Sequence, residues 1–284
     1  MSIDRSFAYR KIIDRLMLGL TTICALLAVA LLLIILGYIA VRGFSALNLD
    51  FFTQLPKPIG EPGSGIGNAI VGTLILIGLA CLFGLPIGIF SGIYLAEFGT
   101  GRFGTALRFL TDVLTGVPSI VTGIFAYTLI VLPMRRFSAI AGGVALAVIM
   151  IPVVTRVTEE MMRLVPRSLR EAALALGAPQ WRAITGVVVR SAIGGIATGV
   201  MLAIARIAGE TAPLLFTALG NRFWPRSLDE PIASMTVQIF NYATGPYEEW
   251  HRQAWAGTFV LVTMILIINV AVRLLTRSRH GTAG

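Results

Sequence analysis

Long uncharged runs separated by short polar breaks limit what this chain can become. A helix that crosses a bilayer needs about 20 apolar residues, because the hydrocarbon core is about 30 Å thick and each helical residue rises about 1.5 Å. Six stretches meet that length: residues 16–41, 69–95, 109–134, 137–155, 191–221 and 254–272. Lipid offers no partner to a backbone N–H or C=O, so each stretch is expected to be an α-helix that pairs its own backbone. The composition agrees: 56% of the residues are hydrophobic, 13% are charged, and the mean hydropathy is +0.84. A soluble domain of 284 residues could not hide that much apolar surface. The expected fold is an all-α integral membrane protein with six transmembrane helices.

The net charge of +9 fits membrane topology better than nucleic-acid binding. Arg5, Arg10, Lys11 and Arg15 precede the first span. With that end inside, the inner loops also hold Arg102, Arg108, Arg156, Arg163, Arg167, Arg170, Arg182, Arg190, Arg273, Arg277 and Arg279. This is about twice the basic content of the outer side, so both termini and the loop of residues 156–190 are expected in the cytoplasm. The first span is too long for a signal-peptide core and lacks a small-residue cleavage site, so it reads as an uncleaved anchor.

Residues 56–67 are rich in proline and glycine but lack the Lys-Ser or Lys-Thr of a P-loop, and read as an outer linker. The expected organisation is an N-terminal tail, first helix and linker (1–67), a membrane domain of five helices (68–272) and a tail (273–284). No strong internal repeat is visible. Cys24 and Cys81 read as buried inert thiols, and His251 and His280 form no metal constellation. Pro86, Pro118, Pro133, Pro152 and Pro213 each remove a backbone donor and are expected to kink their spans.

Two charges fall inside the fifth span. Arg206 stands at its midpoint, where an arginine costs about 2.5–3.5 kcal/mol on insertion scales and must face protein or water. Glu210, four residues on, is expected on the same helical face, together with Gly195, Gly199, Ala203, Pro213 and Thr217. A guanidinium matches two phosphate oxygens at once, so this inward face reads as an anion site, with Glu210 orienting Arg206 between substrates. The alternative is an Arg206–Glu210 pair that only locks helices together. A second cluster, Thr155, Arg156, Thr158, Glu159 and Glu160, ends the fourth span. Arg156 and Glu159, three residues apart, are expected to line the inner mouth of a pathway, the alternative being an ordinary solvated helix end.

Between the fourth and fifth spans lies Glu171-Ala172-Ala173, followed by Gly177. A helix–glycine–helix element in a charged loop gains nothing for insertion, so it is expected to face a soluble partner. The element resembles the cytoplasmic EAA loop of ABC importer permeases, although Val187, Val189 and Arg190 stand where the wider family carries Ile-x-Leu-Pro. Residues 202–221, with Arg-Ile-Ala-Gly-Glu-Thr-Ala-Pro at 206–213, closely resemble the A-type permeases of phosphate-specific ABC importers. Gly-Ile-Tyr-Leu-Ala-Glu at 92–97, Gly-Val-Pro-Ser-Ile-Val at 116–121 and Leu-Val-Pro-Arg-Ser-Leu-Arg-Glu-Ala-Ala at 164–173 extend the likeness over about residues 65–275.

The resemblance implies a type I ABC importer permease fold, and a permease subunit that forms half of a phosphate pathway in the cytoplasmic membrane. Its implied partners are a C-type permease, a dimer of ATP-binding subunits and an external phosphate-binding protein. It also implies that Arg206 and Arg156 match the arginines linked to phosphate passage, and that Glu171, Ala172, Ala173 and Gly177 form the ATPase-coupling element. No cofactor is expected on this chain, ATP–Mg being used by the partner ATPase. An intramembrane enzyme would need a nucleophile–base pair or metal cluster in the spans, and none is visible. A stand-alone ion-coupled transporter would have no use for the EAA element.

Overall fold

The structure, a computed structural model, describes residues 3–277. The end of the expected C-terminal tail, with Arg279 and His280, lies outside the described residues. Eleven helical elements order the described chain: α1 (Ile3–Phe44), α2 (Leu49–Thr53), α3 (Gly67–Glu97), α4 (Arg102–Gly116), α5 (Ser119–Met134), α6 (Ala139–Arg163), α7 (Arg167–Ala175), α8 (Gln180–Ala208), α9 (Ala212–Thr217), α10 (Met235–Ala243) and α11 (Glu248–Arg277). Five of these are long and apolar enough to cross a membrane; α4 and α5 together are apolar enough for a sixth if the bent pair is one span.

The centre of the bundle is the pair α3–α6. Gly84, Gly88 and Gly92 recur at four-residue steps on α3, so they form one stripe with no side chains. The stripe admits Met150, Val154 and Thr158 of α6; a Cβ built on Gly88 or Gly92 would stand 2.8 or 2.5 Å from the side chain opposite. On its other side α6 receives α8 by the same device, Gly195 facing Met161 and Gly199 facing Val157. Leu76, Leu146, Met150, Ile207 and Leu214 complete this core.

These contacts make α3 and α6 parallel to each other and α8 antiparallel to both. One end of the bundle carries Glu97, Arg163 and α7. The other carries the starts of α3, α6 and α11. Helix α1 packs chiefly on α11 near this second end, Tyr38 edge-on to Trp255 at 5.1 Å and Phe44 to Phe259 at 6.4 Å. Cys24, on the bare flank of α1, is exposed rather than buried.

The third stretch is not one straight span. Its chain turns by 105° between α4 and α5. Pro118 supplies the reason: it lacks an N–H and disfavours helical geometry in the residue before it, and Val117 is extended. Helix α4 turns Phe103, Phe109, Leu110 and Val113 outward and Arg108 and Asp112 toward α6. Pro86 and Pro152 lie within continuous helices, so proline alone does not decide where a span breaks. The residues read as a linker are folded back: Ile66 N–H bonds Phe51 O at 2.9 Å, and both side chains are buried.

Candidate functional site

Helix α8 stops in mid-bundle. Gly199 is level with Val157, and Arg206 lies two turns, about 10 Å, farther along. In the antiparallel neighbour this corresponds to Met150, near the middle of α6 and beside Gly84 of α3. Arg206 is therefore at mid-depth. It occupies the last turn of α8, where a cation complements the unpaired carbonyls of a helix end. Gly209 caps that end, and α9 starts anew at Ala212 with Pro213 in its first turn, packed on Gly123 of α5.

This break corrects the expected geometry of Arg206 and Glu210. Glu210 falls between α8 and α9 rather than one turn along the same helix, and the two side chains form no ion pair among the described residues. Its carbonyl accepts a hydrogen bond of 2.9 Å from Thr236 Oγ1, at the start of α10. The stripe of Gly195, Gly199 and Ala203 does face inward, onto α6, but Arg206 lies outside that packing and is exposed in the single subunit. Pro213 and Thr217 are buried.

Arg156 and Glu159 also separate. Helix α6 continues to Arg163, so neither residue belongs to a loop. Three residues are about 300° of helical rotation, enough to carry two side chains past the edge of one face. Arg156 is exposed and meets Glu160 at 2.9 Å and Asp112 of α4 at 3.7 Å. Glu159 points inward, with 3% side-chain exposure; its Oε1 accepts a hydrogen bond from Arg108 Nε at 2.7 Å and forms an ion pair with Arg163 Nη2 at 2.7 Å. Arg108 also donates to Leu95 O and Gly99 O, the free carbonyls at the end of α3. Glu159 thus ties α4 and α6 together. Arg156 stands about 9 Å, or six residues, nearer the α7 end than the level of Arg206.

The EAA element is α7 and the turn after it. Ala173 is buried against the bundle, whereas Glu171 and Ala172 are exposed. Gly177 has φ +83°, its N–H bonds Leu174 O, and Ala178 N–H bonds Ala173 O. That pair of bonds closes a helix with a left-handed residue, and glycine meets no steric penalty there. Around it Leu164, Leu169, Leu174, Leu176 and Trp181 are exposed, an apolar patch at the charged end of the bundle.

Sequence reasoning did not single out the joint beneath this patch. Arg170 Nη2 donates to Glu97 Oε1 at 2.8 Å and to Met162 O at 2.9 Å, and Nη1 to Val165 O at 3.3 Å. One guanidinium therefore links α7 to the ends of both α3 and α6. Each partner closes or sits within a motif quoted above, 92–97 and 164–173, but they are 73 residues apart and only folding joins them.

Residues 84–280 match the family described as "Binding-protein-dependent transport system inner membrane component". The chain belongs to this family. It is 44% identical, over 96% of its length and 93% of the relative's, to the phosphate transport system permease protein PstA of Yersinia pestis. The corresponding protein of Haemophilus influenzae is 45% identical over 94% of this chain and 95% of its own. The probable one of Methanocaldococcus jannaschii is 37% identical over 93% and 94%. Among solved structures, an inward-facing methionine ABC transporter, MetNI, overlays with a TM-score of 0.59 at 17% identity, covering 74% of this chain and 92% of that one. An amino acid ABC transporter gives a TM-score of 0.53 at 18% identity, covering 74% and 92%. The fold is that of a type I ABC importer permease.

Proposed function

We propose that this protein is the membrane-spanning permease subunit of an ATP-driven inorganic phosphate importer. The observation that carries this reading is Arg206, a permanent cation at mid-depth on a helix that breaks beside it, in a chain so close to phosphate permeases. Transport sites are commonly built where spanning helices are interrupted, since the freed backbone and side chains line a cavity. Arg206 faces the pathway shared with a C-type permease, and Arg156 gives the anion a second stop about 9 Å inward. Weak, successive sites let an ion enter and leave. Asp112 and Glu160 hold the Arg156 guanidinium until phosphate competes for it.

The exposed apolar patch around Glu171, Ala172 and Gly177 receives one subunit of an ATPase dimer. ATP–Mg is bound there and not by this chain, whose own part is passage rather than catalysis. Arg170 passes movement of α7 to α3 and α6. An external phosphate-binding protein delivers substrate at the opposite face. The chain resides in the cytoplasmic membrane, with both termini and α7 on the cytoplasmic side.

The test is uptake by the complex assembled with its partner subunits in proteoliposomes. Arg206→Gln should assemble and lose phosphate uptake. Arg206→Lys should retain part of it at most, because an ammonium lacks the planar fork. Arg206→Gln/Glu210→Gln should assemble and remain inactive; near-normal phosphate uptake by that double variant would refute the anion site. Uptake of sulfate or molybdate in place of phosphate by the wild-type complex would overturn the substrate assignment.

A further inference from the structure

A cavity of about 530 Å³ opens at the end of the bundle opposite α7, between the 56–59 segment, the 219–222 turn and helix α10. Lys57 and Arg222 line it, and no aspartate or glutamate does. Three other cavities each include a carboxylate: Glu248 and Glu249, Glu97 and Glu171, or Glu230. This chamber alone of the four is cationic without a resident counter-charge. Two acids outside the lining lie close to it: Asp50, which with Lys57 flanks Gly63, and Glu249, whose charge acts on Tyr242.

Both cations have donors to spare. Lys57 Nζ gives one hydrogen bond, to Pro62 O at 3.0 Å, and an ammonium has three donors. Arg222 is exposed and its side chain makes no ion pair or hydrogen bond among the described residues. Its backbone is nonetheless fixed. Leu219 and Gly220 adopt φ +59° and +104°. Asn221 then holds Pro231 O at 3.1 Å, the Phe223 N–H at 3.0 Å and, through its own carbonyl, Asn68 Nδ2 at 2.7 Å. The turn fixes where the Arg222 side chain starts, and its guanidinium donors are free to bind an anion.

Helix α10 adds neutral donors on the facing wall. Gln238 and Asn241, three residues apart, line the chamber with Tyr242. Burial pushes the Tyr242 phenol up from its ordinary pKa, so it stays a neutral hydroxyl. The first turn of α10 closes the inner side through Ser234 and Val237, and Thr236 between them donates to Glu210 O. That carbonyl belongs to the break that follows Arg206. The first turn of α10 thus joins the chamber to the break that follows Arg206.

We propose that this chamber is an outer anion site, which holds a tetrahedral oxyanion, inorganic phosphate, between Lys57 and Arg222 before it passes to Arg206. The inference rests on the phosphate-import reading for the identity of the ion. The first turn of α10 is the barrier between the two sites.

The test uses Ile59→Cys, an apolar position lining the chamber, in the complete complex lacking Cys24 and Cys81. Two small thiol reagents are added from the outer side, one a sulfonate and one a quaternary ammonium. A cationic cleft raises the local anion concentration by about tenfold or more. The sulfonate should therefore react at least about tenfold faster than its cationic counterpart, once both rates are normalised to a free thiol. Millimolar phosphate should slow it. Lys57→Gln/Arg222→Gln should erase both the preference and the protection, whereas Lys57→Arg/Arg222→Lys should keep them. Equal rates for the two reagents, or a preference that survives the double glutamine variant, would overturn the site. Phosphate uptake by the wild-type complex is measured alongside. A charge preference relieved by another oxyanion, in a complex that imports no phosphate, would overturn the import reading while leaving an anion chamber.

Discussion

Replacing Glu159 with glutamine separates a pathway carboxylate from a structural one. The change keeps side-chain volume and removes one charge. In the structure that charge accepts a hydrogen bond of 2.7 Å from Arg108 and forms an ion pair of 2.7 Å with Arg163, at a side chain only 3% exposed. Arg163 is 53% exposed, so its i,i+4 pair contributes well under about 1 kcal/mol. Arg108 is 24% exposed and its bond is charge-assisted, worth about 1.5–3 kcal/mol. Removing one member of a buried pair often costs about 3–5 kcal/mol because the other is stranded. Here Arg108 keeps Leu95 O and Gly99 O, so the expected loss is about 2–3 kcal/mol. Denaturation of the assembled, detergent-solubilised complex measures it, and a cycle with Arg108→Met should return about 1.5 kcal/mol of coupling. Phosphate uptake in lipid, where the assembly is supported by its partners, should fall far less than stability does. Unchanged stability with abolished uptake would refute this assignment and return Glu159 to the pathway.

Three further expectations can be checked separately. Gly177→Val should weaken co-purification of the ATPase subunit, because a β-branched residue strains at φ +83°; no neighbour lies within 4 Å of its Cβ, so Gly177→Asn, which tolerates left-handed geometry, should preserve assembly. Equal effects of the two would point away from backbone strain. Gly199→Val should destabilise the α6–α8 contact by about 1–3 kcal/mol or more, since even its Cβ would overlap Val157; a normal melting transition would contradict the close packing. Cysteines at positions 60 and 168, in a background lacking Cys24 and Cys81, should be labelled from opposite sides of the membrane, and labelling of both from outside intact cells would contradict the proposed topology.

The helical state and the set of crossings follow from sequence alone, because in lipid an apolar run of about 20 residues has no other way to pair its backbone. Gly177 was equally legible: a helix that ends in a left-handed turn selects glycine locally. The position of Arg206 at mid-depth was also visible from the length of its apolar stretch. Its separation from Glu210 was not, although Gly209 and Pro213 carry a signal for a break. Pro86 and Pro152 carry the same signal and do not break their helices, so only packing on α5 and α10 decided the outcome.

Periodicity describes one helix and is silent about what lies against it. It put Arg156 and Glu159 together, but α4, which precedes the 105° bend, packs on α6 with Arg108 on the buried Glu159 and Asp112 on the exposed Arg156. The Arg170–Glu97 joint and the Lys57–Arg222 chamber depend on residues far apart in the chain. A charge costs too much to bury alone, so its meaning is fixed by its partner, and that partner is chosen by the tertiary fold.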